Sequence, residues 1–138
     1  MTRIKLTNGF DEERARLGEI PAERVRTVEL EALVDTGATM LMLPADVVSA
    51  LGLAERSGRR VRYADGRVRE VPLVGGVSIE ILGRSMLGEA LVEAAGTTPL
   101  IGQIPLEALD LVVDPKSREV TVNPASPDAP LLDLLAVA

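Results

Sequence analysis

The chain contains no cysteine, no histidine and no tryptophan, and among its 138 residues only Phe10 and Tyr63 are aromatic. The absence of cysteine excludes a disulfide framework and a thiolate site. The absence of histidine excludes Ser-His and Cys-His nucleophilic catalysis and removes the usual zinc ligands. Acid/base chemistry falls to Asp, Glu, Lys or Tyr, and neither a metal nor an organic cofactor is expected. With so few rings, the core has to be built from Leu, Val, Ile and Ala.

Positive charge is also scarce: 15 Lys and Arg face 21 Asp and Glu, a net charge of −6. Phosphate backbones are bound by concentrated Lys and Arg, so no nucleic-acid partner is expected. No apolar run reaches the ~18 residues of a membrane span, and the C-terminal LLDLLAVA is short and interrupted by Asp133. The opening MTRIKLTNGFDEE lacks the apolar centre of a secretion signal. These absences point to a soluble, cytoplasmic protein without a membrane partner. The composition is 46% hydrophobic, in a length that suits one domain with its own core.

Residues 2–9 alternate polar and apolar and close on Asn8-Gly9, a strand followed by a turn. Residues 10–23 are charged and helix-tolerant, broken at Gly18 and Pro21, and read as a solvated excursion. Residues 24–34 alternate again, a strand ending at Asp35. A buried strand is expected over 39–44. A short helix follows over 44–53, with Val47, Val48 and Leu51 on one face and Gly52 at its end. Asp65-Gly66, flanked by alternating residues over 59–74, is the strongest hairpin signal in the chain. Two more strands are expected within 75–94 around Gly83-Arg84. Residues 98–111 read as a short apolar strand, a glycine and a short helix, and 111–124 as a hairpin bent at Asp114-Pro115. Many short strands with one or two short helices predict an all-β domain, a closed barrel or sandwich rather than βαβ units. Residues 125–138 begin with turn formers and end apolar, either a frayed tail or a segment that docks on a partner.

One stretch stands apart. ALVDTGATMLMLP, residues 32–44, brings Asp35 to a strand end, turns, and goes straight back into an apolar run. Gly37 removes a Cβ where the chain must turn or where something approaches the backbone. Thr36 and Thr39 add hydroxyls that hydrogen-bond locally. Met40 and Met42 read as core filler. The outcome is a carboxylate held at a rigid, partly apolar position.

LVDTGATMLMLP resembles the active-site strand of the retropepsin-like aspartic proteases, in which two hydrophobic residues precede Asp-Thr-Gly-Ala. The order of the surrounding elements carries the resemblance further. An Asp-Gly hairpin follows about thirty residues on, where that family places its flap. PLIGQIPLEALDL then resembles the family's second apolar-apolar-Gly signature and the helix after it. The resemblance covers residues 25–123. It implies a small closed β-barrel of the retropepsin type with a flap hairpin. The protease domain would occupy residues 1–124, and 125–138 would be a tail placed for the dimer interface.

Aspartic proteolysis uses two carboxylates about 3 Å apart that share one proton. The ionised one takes a proton from a bound water while the other polarises the scissile carbonyl, and the pair titrates as a unit. This chain has one Asp-Thr-Gly, so the second carboxylate would come from Asp35 of a second copy across a two-fold axis. The resemblance implies that Asp35 is the catalytic acid/base, that Thr36 hydrogen-bonds across the homodimer, and that the Gly37 carbonyl receives substrate backbone. Ala38 and Thr39 beside them, Tyr63, Ala64, Asp65 and Gly66 at the flap tip, and Leu100 and Ile101 in a pocket wall would bind an extended polypeptide by strand addition. Gly102 would pack against the active-site strand. Thr39 and Gln103 stand where retroviral members often carry an acidic residue and an arginine, so the ion pair that braces the retroviral dimer is not implied here. The alternative is a catalytically silent peptide-binding dimer of the same fold.

Overall fold

In the computed structural model, which describes residues 1–132, alternation along the chain becomes a closed sheet. Strand β1 (Thr2–Asn8) turns Ile4 and Leu6 inward and leaves Arg3 and Lys5 outside. It pairs antiparallel with β2 (Thr27–Val34), with Leu6 opposite Val28. The other strands are β3 (Leu41–Pro44), β4 (Glu55–Arg62), β5 (Val68–Ile81), β6 (Arg84–Glu93), β7 (Leu100–Ile101), β8 (Leu111–Val113) and β9 (Val120–Val122). Six of them close a ring in the order β1-β2-β7-β3-β6-β5 and back to β1, and β4 extends it at β5. The all-β class expected from the strand pattern, and the closed barrel implied by the resemblance, are therefore the architecture. Strands β8 and β9 form a separate hairpin.

Closure depends on one corner. The glycine pair at 75–76, which reads as a strand boundary, lies inside the 14-residue β5. Gly76 has a φ of 72°, and the register with β6 shifts between Val74 and Val77. This bulge bends the strand. Its first half pairs with β4 and its second half with β1.

The barrel interior is filled by Ile4, Leu6, Leu41, Leu43, Ile79 and Ile101, all essentially inaccessible to solvent. Each such side chain contributes roughly 2 kcal/mol through burial. No ring takes part in this core; Phe10 is 77% exposed. A second, smaller cluster joins Val71, Leu73 and Leu91 to the half-buried Met40, Met42, Val61 and Tyr63. It fastens the inner face of the β4–β5 hairpin to the limb that leaves Asp35.

Among the described residues three short α-helices form, α1 (Gly9–Arg16), α2 (Ala45–Leu51) and α3 (Gln103–Ala108), with a 3-10 turn over Ala22–Arg24. Helix α2 ends as expected at Gly52, which takes the left-handed conformation at φ 64°. Helix α1 lies within the charged segment read as a solvated excursion. Asn8 caps it, its Oδ1 accepting from the Phe10 and Asp11 N–H groups at 2.9 and 3.0 Å. Acidic residues in its first turn and arginines in its last complement the helix dipole. Asp11 turns inward, is only 6% exposed, and accepts from Arg26 Nε and Nη2 at 2.8 and 3.0 Å. Those hydrogen bonds hold its carboxyl below the usual range.

The chain after β9 is clasped to the barrel. Asp110 accepts from Asn123 Nδ2 at 3.0 Å, from Leu131 N–H at 3.0 Å and from the Ser126 hydroxyl. Buried Arg84 donates to the Leu109 and Asp110 carbonyls at 3.1 and 2.9 Å, and to that of Ser126. The part of the 125–138 tail beyond residue 132 lies outside the described residues. Among the described residues no helix is long and apolar enough to cross a membrane.

Candidate active site

The loop carrying Asp35 is positioned by the two-residue strand β7, which lies between β2 and β3. β7 runs parallel to β2, with Val34 opposite Ile101, and antiparallel to β3, with Met42 opposite Leu100. The chain leaves β2, crosses over the end of β7, and returns as β3. The Asp35 N–H donates to the Ile101 carbonyl at 3.0 Å, and the Ala38 N–H closes the turn on the Asp35 carbonyl at 3.1 Å. The carboxylate folds back on its own loop, with Oδ1 accepting from the Gly37 N–H at 2.9 Å. Asp35 is half-buried, while Thr36 and Gly37 are exposed beside it.

The return limb is tied to α3. The first N–H groups of a helix have no partner within it. Here the Gln103 and Ile104 N–H groups donate to the Ala38 and Thr39 carbonyls, both at 2.8 Å. Thr39 and Gln103 thus lie on two segments joined by main chain, Thr39 bonding Ile104 and Gln103 bonding Ala38. Gly102 makes this approach possible. A Cβ there would stand 2.6 Å from the Met40 carbonyl oxygen and 2.7 Å from that of Ala38.

Over the second cluster lies the hairpin turn. Tyr63 N–H donates to the Arg67 carbonyl at 2.8 Å and Gly66 N–H to the Tyr63 carbonyl at 2.9 Å. Asp65 accepts from the Arg67 N–H at 2.9 Å and from Arg67 Nε at 2.7 Å. The Tyr63 hydroxyl donates to Glu93 Oε1 at 2.6 Å. That hydrogen bond, before burial, pushes the phenol pKa up. The Arg67 and Arg69 guanidinium groups lie 5.5 and 5.6 Å from the Tyr63 ring centroid.

Of the residues singled out by sequence, Asp35 to Thr39 and Leu100 and Ile101 come together at this strand crossing. Tyr63 packs with Met40 and Met42, so the two methionines sit beneath the hairpin rather than in the main core. Ala64, Asp65 and Gly66 form its exposed tip. Glu93 and Arg69 gave no signal in sequence, because their roles arise from contact with Tyr63 across the fold. A surface cavity of about 740 Å³, lined by Phe10, Leu17, Gly76 and Leu87, lies against α1 and includes none of the loop residues.

A family model described as aspartyl protease matches residues 20–92, from the approach to β2 to the end of β6. The chain belongs to this aspartyl protease family. Asp35 and the β4–β5 hairpin both fall within the matched segment. Among solved structures, the EIAV protease complexed with an inhibitor is similar at a TM-score of 0.49 and 25% identity, over 57% of this chain and 75% of that one. No curated protein matches the chain.

Proposed function

We propose that the protein is an aspartic endopeptidase. Two copies of Asp35, one from each subunit of a homodimer, activate a water that attacks the peptide carbonyl. One observation supports this reading most. Asp35 is a half-exposed carboxylate on a loop braced by main chain to β7 and α3, with only its Oδ1 engaged among the described residues, by the Gly37 N–H, whereas several other aspartates serve contacts away from this crossing. Asp11 pairs with Arg26, Asp46 accepts from the Gly96 N–H, Asp65 and Asp114 shape turns, and Asp110 holds the C-terminal clasp. A second carboxylate is then most simply supplied by symmetry.

In this reading the dyad shares one proton, the ionised partner deprotonates water and the protonated one polarises the carbonyl. Thr36, exposed beside Asp35, bonds across the dimer. The Gly37 carbonyl and residues 38–39 take substrate backbone, Leu100 and Ile101 line a side pocket, and Tyr63 to Gly66 close over an extended peptide. Residues 1–124 make the catalytic unit, and the tail from 125 reaches the subunit boundary.

A peptide-library digest by wild type and by Asp35→Asn tests the reading, with sedimentation in parallel. Wild type should cut, with a bell-shaped pH profile belonging to the pair. Asp35→Asn should lose at least about a thousandfold in rate while keeping its fold and its dimer. Equal cleavage by the two proteins, or cleavage by a strict monomer, overturns it.

A further inference from the structure

Charge is distributed unevenly over this acidic molecule. Between Glu55 and Glu70 the hairpin carries Arg56, Arg59, Arg60, Arg62, Arg67 and Arg69 against Glu55, Asp65 and Glu70, in a chain of net charge −6. On the barrel, Arg3, Arg14, Arg16 and Arg26 lie against Glu31, Glu19, Glu13 and Asp11. On the hairpin, Arg56 is 3.9 Å from Glu89 and Arg67 is 2.7 Å from Asp65. Among the described residues, Arg59, Arg60, Arg62 and Arg69 form no ion pair.

Strand register decides which way these cations face. Arg69 is opposite Val61, and Arg59 is opposite Val71. Side chains directly opposite one another, or two apart on one strand, share a face. Val61 and Val71 pack with Met40, Met42 and Tyr63. Arg69 and Arg59 therefore stand on the face turned toward the limb leaving Asp35, and Arg60 and Arg62 on the face turned away. Arg69 is also oriented, because its guanidinium rests over the Tyr63 ring and Tyr63 is tethered to Glu93. A guanidinium held over a ring face by its cation–π attraction still has N–H donors open to a carboxylate.

We propose that Arg69, held over the Tyr63 ring, is a specificity-determining residue that selects peptides carrying an Asp or Glu side chain beside the scissile bond, with Arg59 strengthening the local field. This rests on the peptidase reading and deepens it. A carboxylate meets a guanidinium in a short, charge-assisted and often bidentate contact. An extended polyanion, whether duplex or membrane surface, would also have to lie along the acidic barrel, which repels it. A short acidic stretch of peptide meets the hairpin alone.

The test uses matched peptides that differ only in Glu or Gln at each position flanking the cut. Wild type should favour Glu by about tenfold in kcat/KM, mostly through KM, and the ratio should fall toward one near 1 M salt. Arg69→Gln should bring the ratio to about one, and Arg69→Glu should turn the preference toward Lys. Anisotropy with the same labelled peptides on Asp35→Asn reads binding without turnover and should show the same order. Cleavage of Glu and Gln peptides at equal rates overturns the inference and leaves the peptidase reading intact. Preferential binding of Glu peptides by wild type without cleavage supports the inference and overturns the peptidase reading. Neither cleavage nor preferential binding overturns both. Tighter binding of duplex DNA or phosphatidylserine vesicles than of Glu peptides, lost in Arg69→Gln, also overturns the inference.

Discussion

The Asp35 loop and the β4–β5 hairpin both end in tight turns, yet they are held by opposite means. Main-chain hydrogen bonds to β7 and α3 fix the loop, and a bare glycine lets the layers touch. Beyond its own main-chain ladder, side chains fasten the hairpin to its neighbours: a small apolar cluster and one tyrosine–glutamate hydrogen bond, with two arginines over the tyrosine ring. Its outer strand β4 ends the sheet, and its arginines discourage pairing with another chain's edge. Backbone contacts hold a group at fixed distances, which the proposed catalysis by paired carboxylates requires. Side-chain contacts of about 1 kcal/mol each break readily, which suits the role proposed for the hairpin in closing over a peptide.

The largest expected effect breaks the loop's brace. In Gly102→Val the new Cβ meets only main-chain atoms of residues 38 and 40 at 2.6–2.7 Å. Relief requires moving the loop itself. A stability loss of roughly 3 kcal/mol in a denaturant titration is expected, together with a fall in peptide cleavage of at least about a hundredfold. Gly66→Ala at the hairpin tip is the control. Its φ is 87° but nothing lies within 4 Å, so only backbone strain of about 1 kcal/mol arises. Equal losses in the two variants would show that the loop is no more tightly braced than the hairpin.

A smaller effect sharpens the other side. Tyr63→Phe removes the hydroxyl that bonds Glu93 and keeps the ring under Arg67 and Arg69. About 1 kcal/mol of stability should be lost, with faster amide exchange over residues 61–68 and little change over 33–42. Cleavage should slow by a few-fold, with KM and kcat moving together if closure of the hairpin accompanies binding. Unchanged exchange in the hairpin would mean that the second cluster alone holds it.

The strands were legible in sequence because they rest on period-two alternation and on turn chemistry; their closure into a barrel was implied only by the resemblance. The alternation of Ile4 and Leu6, the Asp65-Gly66 turn and the Gly52 helix stop are all local signals, and each holds in the structure. The glycine pair at 75–76 misled because a bulge and a strand boundary use the same residues. Only the pairing of β5 with both β4 and β1 tells them apart. Helix α1 was obscured by its charge. Its stability comes from the Asn8 cap and from Asp11 against Arg26, a contact that spans the intervening turn. At the site, Asp35 and its neighbours could be picked out because the turn is contiguous in sequence. Glu93 and Arg69 could not, since their meaning depends on a tyrosine that only the fold brings to them.

The smallest effect concerns the far end of α3, which links the loop's brace to the C-terminal clasp. Asp110 has its carboxyl pKa lowered from 3.8 to about 2, first by the Ser126 hydroxyl, then by Asn123 and the Leu131 N–H. The folded value lies below the unfolded one, so the clasp's contribution is complete above about pH 4 and is lost as pH falls toward about 2. Asp11, lowered chiefly by Arg26, shifts in the same direction, so total stability alone does not isolate the clasp. Asp110→Asn does. The variant should be slightly less stable near neutral pH and lose less than wild type between about pH 4 and 2. Amide exchange adds the spatial reading. Acid should release residues 123–131 before Gln103 and Ile104, whose N–H groups are held by the carbonyls of Ala38 and Thr39 and carry no titrating partner. If Gln103 and Ile104 open together with the clasp, the brace under Asp35 depends on the C-terminal segment, and the loop is not an independently rigid unit.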